Sequence, residues 1–112
     1  MIKMYTFKAF NNFNELEATH PTLASELEKN VRNGSWKDET IYYYPDIEEY
    51  ALYELTEGWY SGYGLSNDFN GAPDPIEHIN LYTLGKSLAN TWDPSGHYLT
   101  TNGSVLQTQY GW

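Results

Sequence analysis

Apolar side chains recur at helical spacing most clearly between Tyr42 and Tyr60. Placed at 100° per residue with Asp46 at zero, Ile47, Ala51, Leu52, Leu55 and Trp59 share one arc, while Asp46, Glu49, Tyr50, Tyr53, Glu54, Glu57 and Tyr60 share the other. The pattern predicts an amphipathic helix, opened by Pro45 at its first helical position, whose outer face mixes carboxylates with tyrosines. Upstream, Asn12-Phe13-Asn14-Glu15-Leu16 reads as a helix start. Pro21 then begins a helix carrying Leu23, Leu27 and Val31, ended by Asn33-Gly34. Downstream, Asp74-Pro75-Ile76-Glu77 joins an N-cap aspartate, a first-turn proline and a glutamate placed to reach back. These signals predict a helix from Pro75 to about Ala89 that buries Ile76, Ile79, Leu84 and Leu88.

Strand signals flank the helices. Met1 to Phe10 alternates in part, Glu39 to Tyr44 is a β-prone run, and His97 to Thr101 with Ser104 to Tyr110 forms a hairpin through Asn102-Gly103, the pair favoured in a type I′ turn. Gly58 to Gly71 reads as a loop and Trp92 to Gly96 as a turn. The expected fold is therefore α+β: a small, mostly antiparallel sheet with a C-terminal β-hairpin and two or three helices packed on it, two of them on one face. Residues 1–37 form an N-terminal helical segment preceded by a strand, and residues 38–112 an acidic α+β domain, the two being short enough to share one modest core.

Charge changes this picture. Residues 1–37 carry five bases and four acids, whereas residues 38–112 carry eleven acids and one base, Lys86, a split of +1 and −10. An ordinary solvated helix face pairs Glu with Lys one turn away, yet no Lys or Arg lies between Asp38 and Leu84. So acidic a surface repels nucleic acid and anionic membranes and attracts basic grooves. The alternative is that acidity serves solubility only. Nineteen aromatic residues set the chain apart from disordered acidic sequences. No cysteine is present, no apolar run approaches the roughly 20 residues of a membrane span, and the start lacks a hydrophobic region of signal-peptide length. A cytoplasmic protein is the expectation.

The candidate chemistry is sparse. His20, His78 and His97 lack the spacing of a metal site, and no metal or other cofactor is expected. Paired carboxylates could serve acid–base catalysis, but nothing isolates one acid from another, so no catalytic residue is assigned. Asn67 to Gly71 lacks the repeated acids and closing glutamate of a calcium loop, and Gly62-Tyr63-Gly64-Leu65 lacks a phosphate-loop lysine. A binding surface remains, with Asp46, Glu49, Tyr50, Tyr53, Glu54, Glu57, Asp68, Asp74 and Glu77 as its candidates. Tyrosine is enriched at interfaces because it brings contact area and a hydroxyl at low entropic cost; the competing reading packs these tyrosines inward. Carboxylates about one helical turn apart can imitate the anionic array of DNA, as any acidic helix can.

The stretch Ile76-Glu-His-Ile-Asn-Leu-Tyr-Thr-Leu-Gly-Lys-Ser-Leu88, with Ser95-Gly-His-Tyr-Leu-Thr-Thr-Asn-Gly-Ser-Val-Leu-Gln-Thr-Gln-Tyr110, resembles the end of the ArdA antirestriction proteins, and Glu39 to Gly58 resembles the strand and acidic helix preceding it there. The resemblance covers roughly Glu39 to Tyr110. It implies a cofactor-free DNA mimic of phages and mobile elements that occupies the DNA site of type I restriction-modification enzymes, in a family of elongated dimers. This sequence departs from the family in its shorter length, its neutral first third and a Trp-containing insertion at Asn90 to Pro94. Those departures open an alternative target, a CRISPR effector nuclease. The competing class is a non-mimic interaction protein whose aromatics form a homo-oligomer seam.

Overall fold

The computed structural model describes residues 8–31, 34–64 and 69–112. The fold is α+β, with four α-helices among the described residues and a four-stranded antiparallel sheet that closes in a C-terminal hairpin. Its strands are β1 (Lys8–Phe10), β2 (Ile41–Tyr44), β3 (His97–Leu99) and β4 (Val105–Thr108), in the order β1-β2-β4-β3. Ile41 stands opposite Phe10 on one side and Thr108 on the other, and Tyr44 stands opposite Val105. Of the strand expected over Met1 to Phe10, residues 1–7 lie outside the described residues.

The run Ile-Tyr-Tyr-Tyr of β2 has no polar alternate. Because successive side chains point to opposite sides of a sheet, both faces of this strand need cover. Two helix pairs supply it, so the two helices expected on one face from residues 38–112 are joined by a second pair on the other. The first pair is α1 (Phe13–Thr19) and α2 (Pro21–Asn30). With the 3-10 turn Ser35–Asp38 it encloses a cluster of Phe10, Phe13, Leu16, Ala24, Leu27, Trp36, Ile41 and Leu106. Trp36 is the centre of that packing, meeting the edges of Phe13 at 5.5 Å and Trp112 at 5.4 Å. The second pair is α3 (Ile47–Thr56) and α4 (Leu81–Thr91), which closes the opposite face through Tyr44, Ile47, Tyr50, Ala51, Leu88 and Val105. A further cluster of Leu52, Leu55 and Ile76 contains no strand residue. The helical pair therefore runs on past the sheet, and the molecule measures 48 × 24 × 23 Å.

Side-chain caps set the helix starts. Asn12, Asp46 and Asn80 each accept the backbone N–H three residues on, at 3.0, 2.8 and 3.0 Å, contributing about 1 kcal/mol apiece. Asp46 is thus the N-cap of α3, and Pro45 precedes the helix instead of opening it. The helix expected from Pro75 to Ala89 is broken in two. Asp74 accepts the Ile76 N–H at 3.0 Å and caps only the 3-10 turn Pro75–His78. Ile79 is extended, and Asn80 restarts the chain as α4, since asparagine gains more by capping than from a helix interior. Likewise α2 stops at Asn30; of the expected Asn33-Gly34 stop, Asn33 lies outside the described residues.

The hairpin turn also differs from expectation. The Gly103 N–H bonds the Thr100 carbonyl at 3.1 Å, the Thr100 N–H bonds the Ser104 carbonyl at 2.9 Å, and only Gly103 of the Asn102-Gly103 pair has positive φ, at 92°. This is a three-residue loop closed by a left-handed glycine, in place of the two-residue type I′ turn. The Asn102 side chain explains the choice, because it accepts from the Ser104 N–H at 3.0 Å and from the Ser104 hydroxyl at 2.8 Å. Among the described residues, no helix is long and apolar enough to cross a membrane.

Candidate functional site

Little of the circumference of α3 meets solvent. It lies against the sheet, against α4, and beneath the segment that follows it. Tyr50 is 0 % exposed and Glu54 6 % exposed, so both are corrected from the outer face to the interior. For Tyr50 the cause is the set of rings around it, Tyr44, Trp92 and His97, and for Glu54 it is the return of the chain after Thr56. The Glu57 and Gly58 N–H groups both bond the Tyr53 carbonyl, at 2.7 and 3.1 Å, and the Tyr60 N–H bonds the Glu54 carbonyl at 2.9 Å. Tyr60 then packs on the clusters at both ends of α3. The same turn swings Trp59 outward to 53 % exposure, against its expected place on the buried arc.

Around Tyr50 the interior is aromatic. Its ring meets the edges of Tyr44 at 5.2 Å, Trp92 at 5.3 Å and His97 at 5.9 Å, and its hydroxyl has no hydrogen-bond partner. Burial, reinforced by the nearby Glu54 carboxylate, pushes the Tyr50 phenol well above its ordinary range. The Tyr44 phenol is raised in the same way, by burial and then by Tyr53, Glu54, Tyr50 and Tyr42, and it donates to Gln107 at 3.1 Å. Burial also raises the Glu54 carboxyl, partly offset by the hydrogen bond it accepts from the Trp59 N–H. His97 lies stacked on Trp92 at 4.8 Å and 12°, with Nδ1 2.9 Å from the Asp93 carbonyl oxygen. Burial lowers its pKa, against the opposing pull of Asp93.

An acid, a phenol and an imidazole thus come close together inside the fold. The Tyr50 hydroxyl makes no hydrogen bond to either of the others. Tyr50 and Glu54 are buried there and His97 is half-buried, packed among aromatic rings. Among the described residues, no three of His, Asp or Glu are grouped to hold a metal ion.

The remaining candidates lie at the surface. Asp46 and Glu57 are exposed, with Glu49 and Tyr53 half-buried between them, and their spacing of three, four and four residues sets them in one line along α3. The line is about 16 Å long at 1.5 Å per residue. Glu77 is exposed and Asp74 half-buried at the start of the Pro75–His78 turn, whereas Asp68 lies outside the described residues. Sequence reasoning missed Glu48, which is exposed although the wheel sets it within the apolar arc, between Leu55 and Trp59. Its signal was its place in the first helical turn, where the helix dipole favours a carboxylate. It also missed Tyr63, 77 % exposed on the turn beyond Gly58, whose signal was the glycine spacing that lets the chain fold back. Compared with family models, with curated proteins and with solved structures, the chain matches none.

Proposed function

We propose that this chain is a cofactor-free, non-enzymatic inhibitor that competes with DNA for the basic groove of a bacterial defence enzyme, a type I restriction-modification enzyme first of all. The observation that carries the reading is the line Asp46, Glu49, Tyr53 and Glu57 along α3, in a segment of eleven acids and one base. The ending that resembles the ArdA proteins supports the same target, and the elongated shape supports occupation of a groove. Such a target places the site of action in the bacterial cytoplasm. The chain itself binds no nucleic acid, being repelled by it.

Magnitudes bound the mimicry. A duplex carries one negative charge per about 1.7 Å of axis, so a 48 Å length holds roughly 28, three times the net charge of −9. The imitation is a patch on one face, and charge mainly speeds association, as electrostatic steering does. The test reverses the exposed Glu48 and Glu57 and the half-buried Glu49 together, as Glu48→Lys, Glu49→Lys and Glu57→Lys, with DNA cleavage by a purified type I enzyme as the readout. Inhibition should weaken about tenfold or more and depend less on salt. Unchanged inhibition would overturn the reading. The same assay on a CRISPR effector nuclease tests the alternative target, and self-association that ignores both salt and charge reversal favours the homo-oligomer seam.

A further inference from the structure

Charge alone gives a groove-binding inhibitor speed and little selectivity, and one surface element of this molecule has the chemistry to add it. The turn from Glu57 to Tyr63 leaves two large aromatic side chains in solvent, Trp59 at 53 % and Tyr63 at 77 % exposure, in the same seven residues as the exposed Glu57. Burying an aromatic ring is among the larger sources of stability open to a small domain, so two exposed rings on one seven-residue turn are a surface in want of cover.

The turn is held. The Ser61 N–H bonds the Gly58 carbonyl at 3.0 Å and the Tyr63 N–H bonds the Tyr60 carbonyl at 3.0 Å. Tyr60 is anchored on the Leu52, Leu55 and Ile76 cluster, and its ring lies 6.3 Å from that of Tyr63. From below, the Glu54 carboxylate accepts the Trp59 N–H, and Gly58 makes room for it: a Cβ there would stand 2.2 Å from Glu54 Oε1. Gly64, at φ 72°, ends the turn in a conformation glycine adopts freely. A backbone held in this way loses little freedom on meeting a partner.

We propose that the Glu57–Tyr63 turn is an arginine-reading surface, on which Trp59 and Tyr63 receive guanidinium groups of a partner protein while Glu57 pairs with their charge. Arginine fits better than lysine because its planar, weakly hydrated guanidinium stacks on aromatic faces, whereas a strongly hydrated ammonium resists desolvation. The chain offers no rival cation nearby in sequence, as no Lys or Arg lies between Asp38 and Leu84. The inference rests on the preceding reading for its setting, a basic groove, and adds what within that groove is recognised.

The test uses the full chain with oligo-arginine and oligo-lysine peptides of equal length, titrated by tryptophan fluorescence and calorimetry at physiological ionic strength. The unmodified chain should prefer arginine by about two- to fivefold, the range of an exposed cation–π contact. The Trp59→Ala, Tyr63→Ala double variant should bind both peptides alike. Tyr63→Ala alone, at a side chain that carries little of the fold, should lose part of the preference. Equal affinity of the unmodified chain for both peptides, or a preference that survives the double variant, would overturn the proposal. So would sedimentation showing that the chain is a dimer and the double variant a monomer, since the rings would then cover a second copy. A chain that prefers arginine yet leaves DNA cleavage untouched sinks the inhibitor reading alone, and inhibition without arginine preference sinks this one alone.

Discussion

The Tyr98 hydroxyl donates a 2.8 Å hydrogen bond to the Glu26 carboxylate and thereby ties α2 to the C-terminal hairpin. Thr101 adds its N–H and its hydroxyl to the same carboxylate, each at 2.9 Å. Burial works against the ionised form, but these bonds outweigh it and hold the Glu26 carboxyl below its ordinary 4.5, while burial and Glu26 together push the Tyr98 phenol up to about 12. A carboxyl lowered in the fold stabilises above its unfolded pKa, and the contribution is lost as pH falls through the folded value. Glu26→Ala should therefore cost about 1–2 kcal/mol in urea denaturation at neutral pH, discounted for partial exposure, with the difference shrinking in acid. A cost that stays constant into strong acid would show that the carboxylate does not hold the seam.

Tyr50 separates packing from hydrogen bonding. Its ring fills the centre of the second cluster, so Tyr50→Ala should cost about 3–5 kcal/mol by chemical denaturation. Its hydroxyl is buried without a partner, so Tyr50→Phe should be neutral or stabilise by about 1 kcal/mol. A phenylalanine variant that loses more than about 1 kcal/mol would mean that the hydroxyl is satisfied in solution.

At Gly85 two effects of opposite sign compete. Alanine favours a helix over glycine by about 1 kcal/mol, but a Cβ there would stand 2.7 Å from the Ile47 carbonyl oxygen and 2.8 Å from Ile47 Cγ1. The carbonyl is backbone and cannot rotate away, so overpacking of about 1–3 kcal/mol wins and Gly85→Ala should lower the melting temperature. Gly62→Ala is the control, since nothing lies within 4 Å of its Cβ position, and its melting temperature should be nearly unchanged.

Glu54 sets a pH dependence of the opposite sense to Glu26. Its folded pKa is raised, chiefly by burial, so the fold favours the protonated form and stability falls as pH rises above 4.5 toward the folded value. Glu54→Gln keeps the shape and an oxygen to accept the Trp59 N–H. It should raise the melting temperature at neutral pH and change it little in mild acid. A lower melting temperature at neutral pH would mean that the ionised carboxylate is itself a stabilising element of the turn.

Where local chemistry decides, the sequence was a sufficient guide. The cap at Asp74, the starts of α1 and α2, the C-terminal hairpin and the α+β class all follow from short-range signals. Asn80 was overlooked because Asp74-Pro75 is the louder start signal, although it opens only a short turn. The angular position of Tyr50 and Glu54 on α3 was read correctly, but an angle about a helix axis does not say which neighbours surround it. Their burial depends on Tyr44, Trp92 and His97 enclosing Tyr50 and on Gly58 and Trp59 folding back over Glu54, contacts that a helical wheel does not contain. The exposed carboxylates Asp46 and Glu57 were legible because nothing returns over them.

The order β1-β2-β4-β3 also governs when the fold can form. β4 is the last strand, yet it pairs with β2 and β3 at once, and the Tyr44–Gln107 bond spans 63 residues. During synthesis, α1, α2 and the β1-β2 pair can assemble early, but until Thr108 has been made the inward side of β2 has no neighbour and Leu106 is missing from the first cluster. Folding of the sheet is therefore a late, nonlocal event, slow by the usual dependence on contact order. A nascent chain stopped before β4 would expose an unpaired strand edge lined by Tyr42, Tyr43 and Tyr44, a template for association with other chains.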